Sequence, residues 1–156
     1  MSDLNTAQFA FKNAVNLYND NNLNEAIEQL NEILKIHPNH ENALDLSGII
    51  FIKQNKLEEA LNVVNKSIKL VKNNKKYLDI KYKLLIYKGD NNSAFDCLKL
   101  LHKKYPSVNS AREISNHYLD LDEKDKADET IQTFLESDKT YSCLLYTSDA
   151  ADDIPG

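Results

Sequence analysis

Tryptophan is absent from the 156 residues of this chain, and glycine, proline and cysteine are scarce, with three, three and two copies. So few breakers favour long helices joined by short connections. Cys97 and Cys143 are too few and too dispersed for a disulfide framework or a metal cluster, and they read as unpaired thiols. The opening MSDLNTAQFAFKN lacks the basic start and apolar run of a secretory signal, and no window approaches the roughly 18 apolar residues of a membrane span. A soluble, cytoplasmic protein with no membrane partner is the expectation. A glycine-rich phosphate loop, a nucleophile elbow and a zinc-spaced cysteine set are missing as well. No catalytic residue, cofactor or metal is therefore expected, and the chain reads as a non-enzyme.

The net charge is −5, and it is −2 without Asp149, Asp152 and Asp153 near the C-terminal end. Acidity this weak points to no nucleic-acid or anionic-membrane partner.

What the chain does have is apolar periodicity, in a composition that is 42% hydrophobic and 28% charged. Residues 41–74, ENALDLSGIIFIKQNKLEEALNVVNKSIKLVKNN, read as two amphipathic helices joined at Gln54-Asn55. Small residues occupy expected helix contacts at Gly48, Ala60 and Ser67, and Leu44, Phe51, Leu57, Val64 and Ile68 supply bulk between them. The pattern recurs, since Ala26, Ala60, Ala94 and Ala127 follow one another at intervals of 34, 34 and 33 residues. A fixed period of this length marks an array of helix pairs, in which neighbours bury apolar faces that no unit could close alone.

Four units follow, over about residues 7–40, 41–74, 75–108 and 108–141. In the first, Phe9, Ala10, Ala14 and Leu17 precede a turn at Asn21-Asn22, and Leu23, Ala26, Ile27, Leu30, Ile33 and Leu34 form the second stripe. Pro38 stops that helix, and Asn39 is the expected cap of the next. Asn73-Asn74 makes the turn after the second unit. The third carries Leu78, Tyr82, Leu85 and Ile86, a break at Gly89-Asp90-Asn91, then Ala94, Phe95, Leu98, Leu101 and His102, with Pro106 two periods after Pro38. The fourth is weakest, with Ala111, Ile114, Tyr118 and Leu121, an Asp122 to Asp125 turn, then Ala127, Ile131, Phe134 and Leu135.

On these residues the chain resembles the tetratricopeptide (TPR) family over about residues 7–142. Ala26, Ala60, Ala94 and Ala127 match the family's small residue early in the second helix, and Ala14 and Gly48 match the one late in the first. Tyr82 and Ser115 depart from it at that second place, and the usual aromatic near the start of each unit is replaced by Ala10, Leu44, Leu78 and Ala111. The pentatricopeptide repeat runs about one residue longer, and the Thr-Pro-Leu-His signature of ankyrin is not found. The resemblance implies an all-α, right-handed superhelical solenoid of about four helix-turn-helix repeats. Separately, Cys143 to Asp152, CLLYTSDAAD, resembles one translated frame of a transposase-type sequencing adapter. Residues 1–142 are therefore expected to be the repeat domain and residues 143–156 a non-native tail, the true protein continuing with further helix.

Local chemistry has plain readings. His37 and His40 form an H-x-x-H, but Pro38 ends the helix between them, and a metal site needs three or four converging ligands. Cys97 beside Leu98 reads as a buried structural thiol. Glu58-Glu59 and the carboxylates of Glu123 to Asp125 sit at helix starts, where the helix dipole favours them.

What the family resemblance implies for function is a protein or peptide partner held on the inner surface. By the family's spacing the first helices aim inward Phe11, Val15, Tyr18 and Asn19, then Asn42, Asp45, Ile49, Ile52 and Lys53. The third unit offers Lys76, Asp79, Lys83, Ile86 and Tyr87, and the fourth Arg112, Asn116, Leu119 and Asp120. Family members that clamp a chaperone's C-terminal carboxylate use a lysine and an asparagine where this chain has Phe11 and Val15, so that function is not implied. The alternative is that the chain resembles the leading repeats of bacterial TPR-fused sulfotransferases and protein glycosyltransferases, and would be the targeting arm of a larger enzyme. The oligomeric state is not legible.

Overall fold

The structure, a computed structural model, describes residues 2–72 and 74–149, with side chains over 3–72 and 74–138. Asn73 of the expected Asn73-Asn74 turn and the end of the expected tail lie outside the described residues. Among the described residues eight helices follow one another: α1 (Ser2–Asn19), α2 (Leu23–Ile36), α3 (Glu41–Lys53), α4 (Leu57–Leu70), α5 (Lys75–Lys88), α6 (Asn91–Lys104), α7 (Val108–Asp120) and α8 (Lys124–Asp149). Among the described residues there is no strand, and no helix is long and apolar enough to cross a membrane. The chain divides into two compact units, one up to Ala94 and one from Phe95 onward.

The turn inside each helix pair is built the same way four times. Asn21, Asn55, Gly89 and Asp122 all adopt a left-handed backbone, with φ of 62°, 59°, 83° and 59°. Each stands five residues before the matching alanine at 26, 60, 94 or 127. The following amide then reaches back to close the helix end: Asn22 N–H to Leu17 O at 2.8 Å, Lys56 to Phe51 at 2.8 Å, Asp90 to Leu85 at 3.0 Å and Glu123 to Tyr118 at 2.8 Å. This is the Schellman closure, which satisfies orphan carbonyls and reverses the chain. Glycine enters a left-handed conformation freely, and asparagine and aspartate enter it more readily than other residues. The Asp122 turn therefore works without the glycine or asparagine that the other three use.

Reversal at these points lets α2, α4 and α8 pack on α1, α3 and α7, and the four matching alanines are 0–1% exposed. In the first unit Ala14, Ala26, Leu30, Ile33, Ala43, Leu46 and Ile50 form one cluster spanning α1, α2 and α3. Gly48 is looser than its lack of a side chain suggests, since an added Cβ would meet Val63 at 3.7 Å, an ordinary contact distance. In the second unit Ser115, which departs from the family's small residue, is buried and donates its hydroxyl to the Ala127 carbonyl at 3.3 Å. That bond spares α7 a buried unsatisfied hydroxyl.

Two sequence expectations need correction. The cap of α3 is His40 and not Asn39: His40 N–H closes a turn onto His37 O at 3.1 Å, which starts the helix one residue later, and its Nδ1 accepts from Ala43 N–H at 3.1 Å. Phe9 is 68% exposed. One period on, its place is Ala43, which α3 buries against α2, but among the described residues α1 packs only on α2 and α3, and neither covers Phe9. Leu135 on α8 is 45% exposed, as its place on the last expected repeat helix implies.

Candidate peptide-binding face

Three first helices, α1, α3 and α5, position the residues singled out on the first unit. α1 presents Phe11, Val15 and Tyr18 half-buried and Asn19 exposed, while α3 presents Asn42, Ile49, Ile52 and Lys53 exposed and Asp45 half-buried. None of them is in the buried core. Two ring contacts join α1 to α3: Phe11 meets the His40 ring at 5.6 Å between centroids, and Lys53 Nζ lies 5.0 Å over the Tyr18 ring. The second is a cation–π contact that holds a lysine stem along the apolar face.

Between α3 and α5 the link is made by side chains. Tyr77 donates its hydroxyl to Asp45 Oδ1 at 2.9 Å, and Lys76 Nζ donates to Asp45 Oδ2 at 3.1 Å while lying 5.3 Å from the Tyr77 ring. Burial of the Tyr77 phenol, then the neighbouring Asp45 carboxylate, pushes its pKa up to about 12, so it stays a donor at any physiological pH. Behind this bridge Ile49, Ile52, Val63, Ile80 and Tyr77 line a mainly apolar cleft of about 50 Å³. That is room for a few waters or one small side chain, well short of the ~300 Å³ or more of a small-molecule site.

Lys83, Ile86 and Tyr87 lie further along α5, outside the cleft, all exposed, with Ile86 at 48% and Tyr87 at 80%. Lys88, just beyond, pairs with Glu58 at the start of α4 and anchors this end of α5. Asn42 and Phe11 share a different hollow, of about 540 Å³, with His37 and His40. On the second unit Arg112, Asn116, Leu119 and Asp120 are exposed along α7, and Arg112 donates to Asn109 Oδ1 at 3.2 Å.

The residues that sequence reasoning missed are Tyr77, Ile80 and His40. Tyr77 occupies the register of buried Ala43 one period earlier, so its burial was readable, but its bond to Asp45, 32 positions away, was not. Elsewhere in the second unit His102 Nδ1 and Ser110 Oγ lie 2.6 Å apart, Ser107 and Ser110 cap α7 reciprocally, and Phe95 stacks on His117 at 3.8 Å. Among the described residues no group of three or more His, Cys, Asp or Glu side chains is placed to hold a metal.

An all-α chain with four repeated helix-pair turns is a helical repeat of the TPR-like type, and comparison of structures bears this out. No protein-family profile matches the sequence, and no curated protein does. Solved structures do match, among them MamA, a TPR-like helical-repeat protein. MamA AMB-1 superposes with a TM-score of 0.64 at 16% identity, over 85% of this chain and 73% of that one. A second MamA structure matches over 99% of this chain and 81% of its own length, with a TM-score of 0.62 at 15% identity. MamA from residue 41 onward of Desulfovibrio magneticus RS-1 gives 0.59 at 14% identity, over 86% and 76% of the two chains. At such identities the likeness is one of fold.

Proposed function

We propose that this chain is a protein-interaction scaffold and that the face of α1, α3 and α5 holds a peptide segment of its partner. The observation carrying this reading is the exposure of Ile49, Ile52, Ile86 and Tyr87 on helices that are otherwise buried from behind, Ile49 and Ile52 standing 49% and 43% open. Covering the open half of each isoleucine with a partner's apolar side chain would contribute roughly 1 kcal/mol. Specificity would come from polar groups around them. Asp45 is already engaged by Tyr77 and Lys76, so Lys53, Lys83 and Asn42 are the groups left to meet a partner. The exposed set on α7, Arg112 and Asn116, is proposed as a contact surface of the second unit in its own right.

The test uses a peptide selected on the wild-type chain from a random display library. Changing Phe11→Ala, Ile49→Ser and Ile86→Ser together should weaken its binding about tenfold or more, since a few apolar anchors dominate such interfaces. Isothermal titration beside thermal unfolding separates binding from folding. Loss of the fold at temperatures where binding is measured would show these residues to be core and refute the reading.

A further inference from the structure

Between residues 60 and 78 there are five lysines, Lys66, Lys69, Lys72, Lys75 and Lys76, and no aspartate or glutamate. Only Lys76 has a carboxylate partner among the described residues, Asp45, which leaves four cations without one at the end of α4 and the start of α5. The dipole of α4 accounts for Lys69 in its last turn. It does not account for Lys72 and Lys75, which lie beyond the helix end. The same region holds a crevice of about 350 Å³, floored by Leu34, Pro38, Leu44 and Leu70 and rimmed by Lys66 and Lys69. No carboxylate lines it. The acids nearest in sequence on α2, Glu28 and Glu32, line a separate depression, and Glu32 is paired with Lys35.

We infer that this crevice between α2 and α4 is a second docking surface, for a partner segment with one or two apolar side chains flanked by carboxylates. Charge complementarity selects the partner: two unmatched lysines on the rim of an apolar floor, with Lys72 and Lys75 nearby in sequence, suit an acidic, apolar peptide. An apolar floor of this size takes one or two side chains and has no counterpart in a flat phosphate surface. The net charge of −5 on the whole chain also works against a long polyanion such as duplex DNA or an anionic bilayer. Leu44 reaches its floor from α3, but none of its lining residues belongs to the first-helix face, so it stands or falls independently of that face.

The probe is a fluorescein-labelled peptide of leucine and phenylalanine interspersed with aspartate and glutamate, carrying one benzoylphenylalanine for photo-crosslinking. Fluorescence anisotropy should show saturable binding that weakens with added salt. It should fall about tenfold for Lys66→Glu with Lys69→Glu, and less for the milder Lys66→Gln with Lys69→Gln. Crosslinks should map to residues 34–39 and 66–70. The proposal is overturned if the peptide does not bind, if its amide counterpart with asparagine and glutamine binds equally well, or if crosslinks fall elsewhere. It is equally overturned if vesicles of phosphatidylserine and phosphatidylcholine, or a DNA duplex, bind these lysines more tightly than the peptide.

Discussion

Replacing Gly89 by alanine isolates the conformational cost of the repeated turn. Gly89 has φ +83°, and a Cβ added there would meet no atom within 4 Å, so neither a clash nor a cavity enters the result. What remains is the left-handed backbone, which disfavours an L-residue by about 1–2 kcal/mol. The lower entropy of the unfolded alanine chain offsets about 0.4–1 kcal/mol of that. A net loss of about 1 kcal/mol is expected. The complementary change, Asn55→Gly, relieves an asparagine held at φ 59° and should leave stability unchanged or slightly raised. Urea melts followed by circular dichroism measure both, with the slope of the transition checked for loss of cooperativity between the two units. An alanine variant with the wild-type midpoint would mean that Gly89 is not held left-handed, and the fourfold turn would lose its structural basis.

Two further outcomes follow from packing and charge. Ala60→Leu should cost about 1–3 kcal/mol, because Ala60 is 0% exposed and three added carbons have nowhere to go, whereas Lys56→Ala, at a cap whose side chain bonds nothing, should stay within about 0.5 kcal/mol; urea melts with equal midpoints would remove Ala60 from the helix contact. Burial lowers the pKa of His102, whose Nδ1 meets Ser110 at the N-terminal end of α7. A depressed folded pKa means that the neutral form is the folded one, so its contribution is complete above the unfolded value of 6.5 and is lost as pH falls through the lower folded value. Thermal midpoints should therefore drop as pH falls below about 6.5 in the wild type and drop less in His102→Gln; parallel profiles would refute the assignment.

Much of this fold was readable because its organising signals are local. The spacing of Ala26, Ala60, Ala94 and Ala127 gave the units, and Asn21, Asn55 and Gly89 are residue types that tolerate the reversal their turns require. Asp122 was harder, since aspartate is a weaker signal for a left-handed turn than glycine or asparagine. Phe9 misled because periodicity reports that a face is apolar without saying whether another helix covers it. At the candidate face, the choice of Ile49, Ile52 and Ile86 followed from the spacing of the TPR family that the chain resembles, and all three stand exposed. The Tyr77–Asp45–Lys76 bridge did not, because it joins residues more than 30 positions apart and depends on how two helices lean together.

Peptide binding on the first-helix face is tested most directly by the isoleucine methyl spectrum. With the δ1 methyls labelled, titration of a display-selected peptide should shift the signals of Ile49, Ile52 and Ile86 and leave those of buried Ile33 and Ile50 in place. Partly exposed Ile131, on α8 of the second unit, serves as the control for unspecific contact. Shifts at Ile131 with none at Ile49, Ile52 and Ile86 would contradict the proposed face.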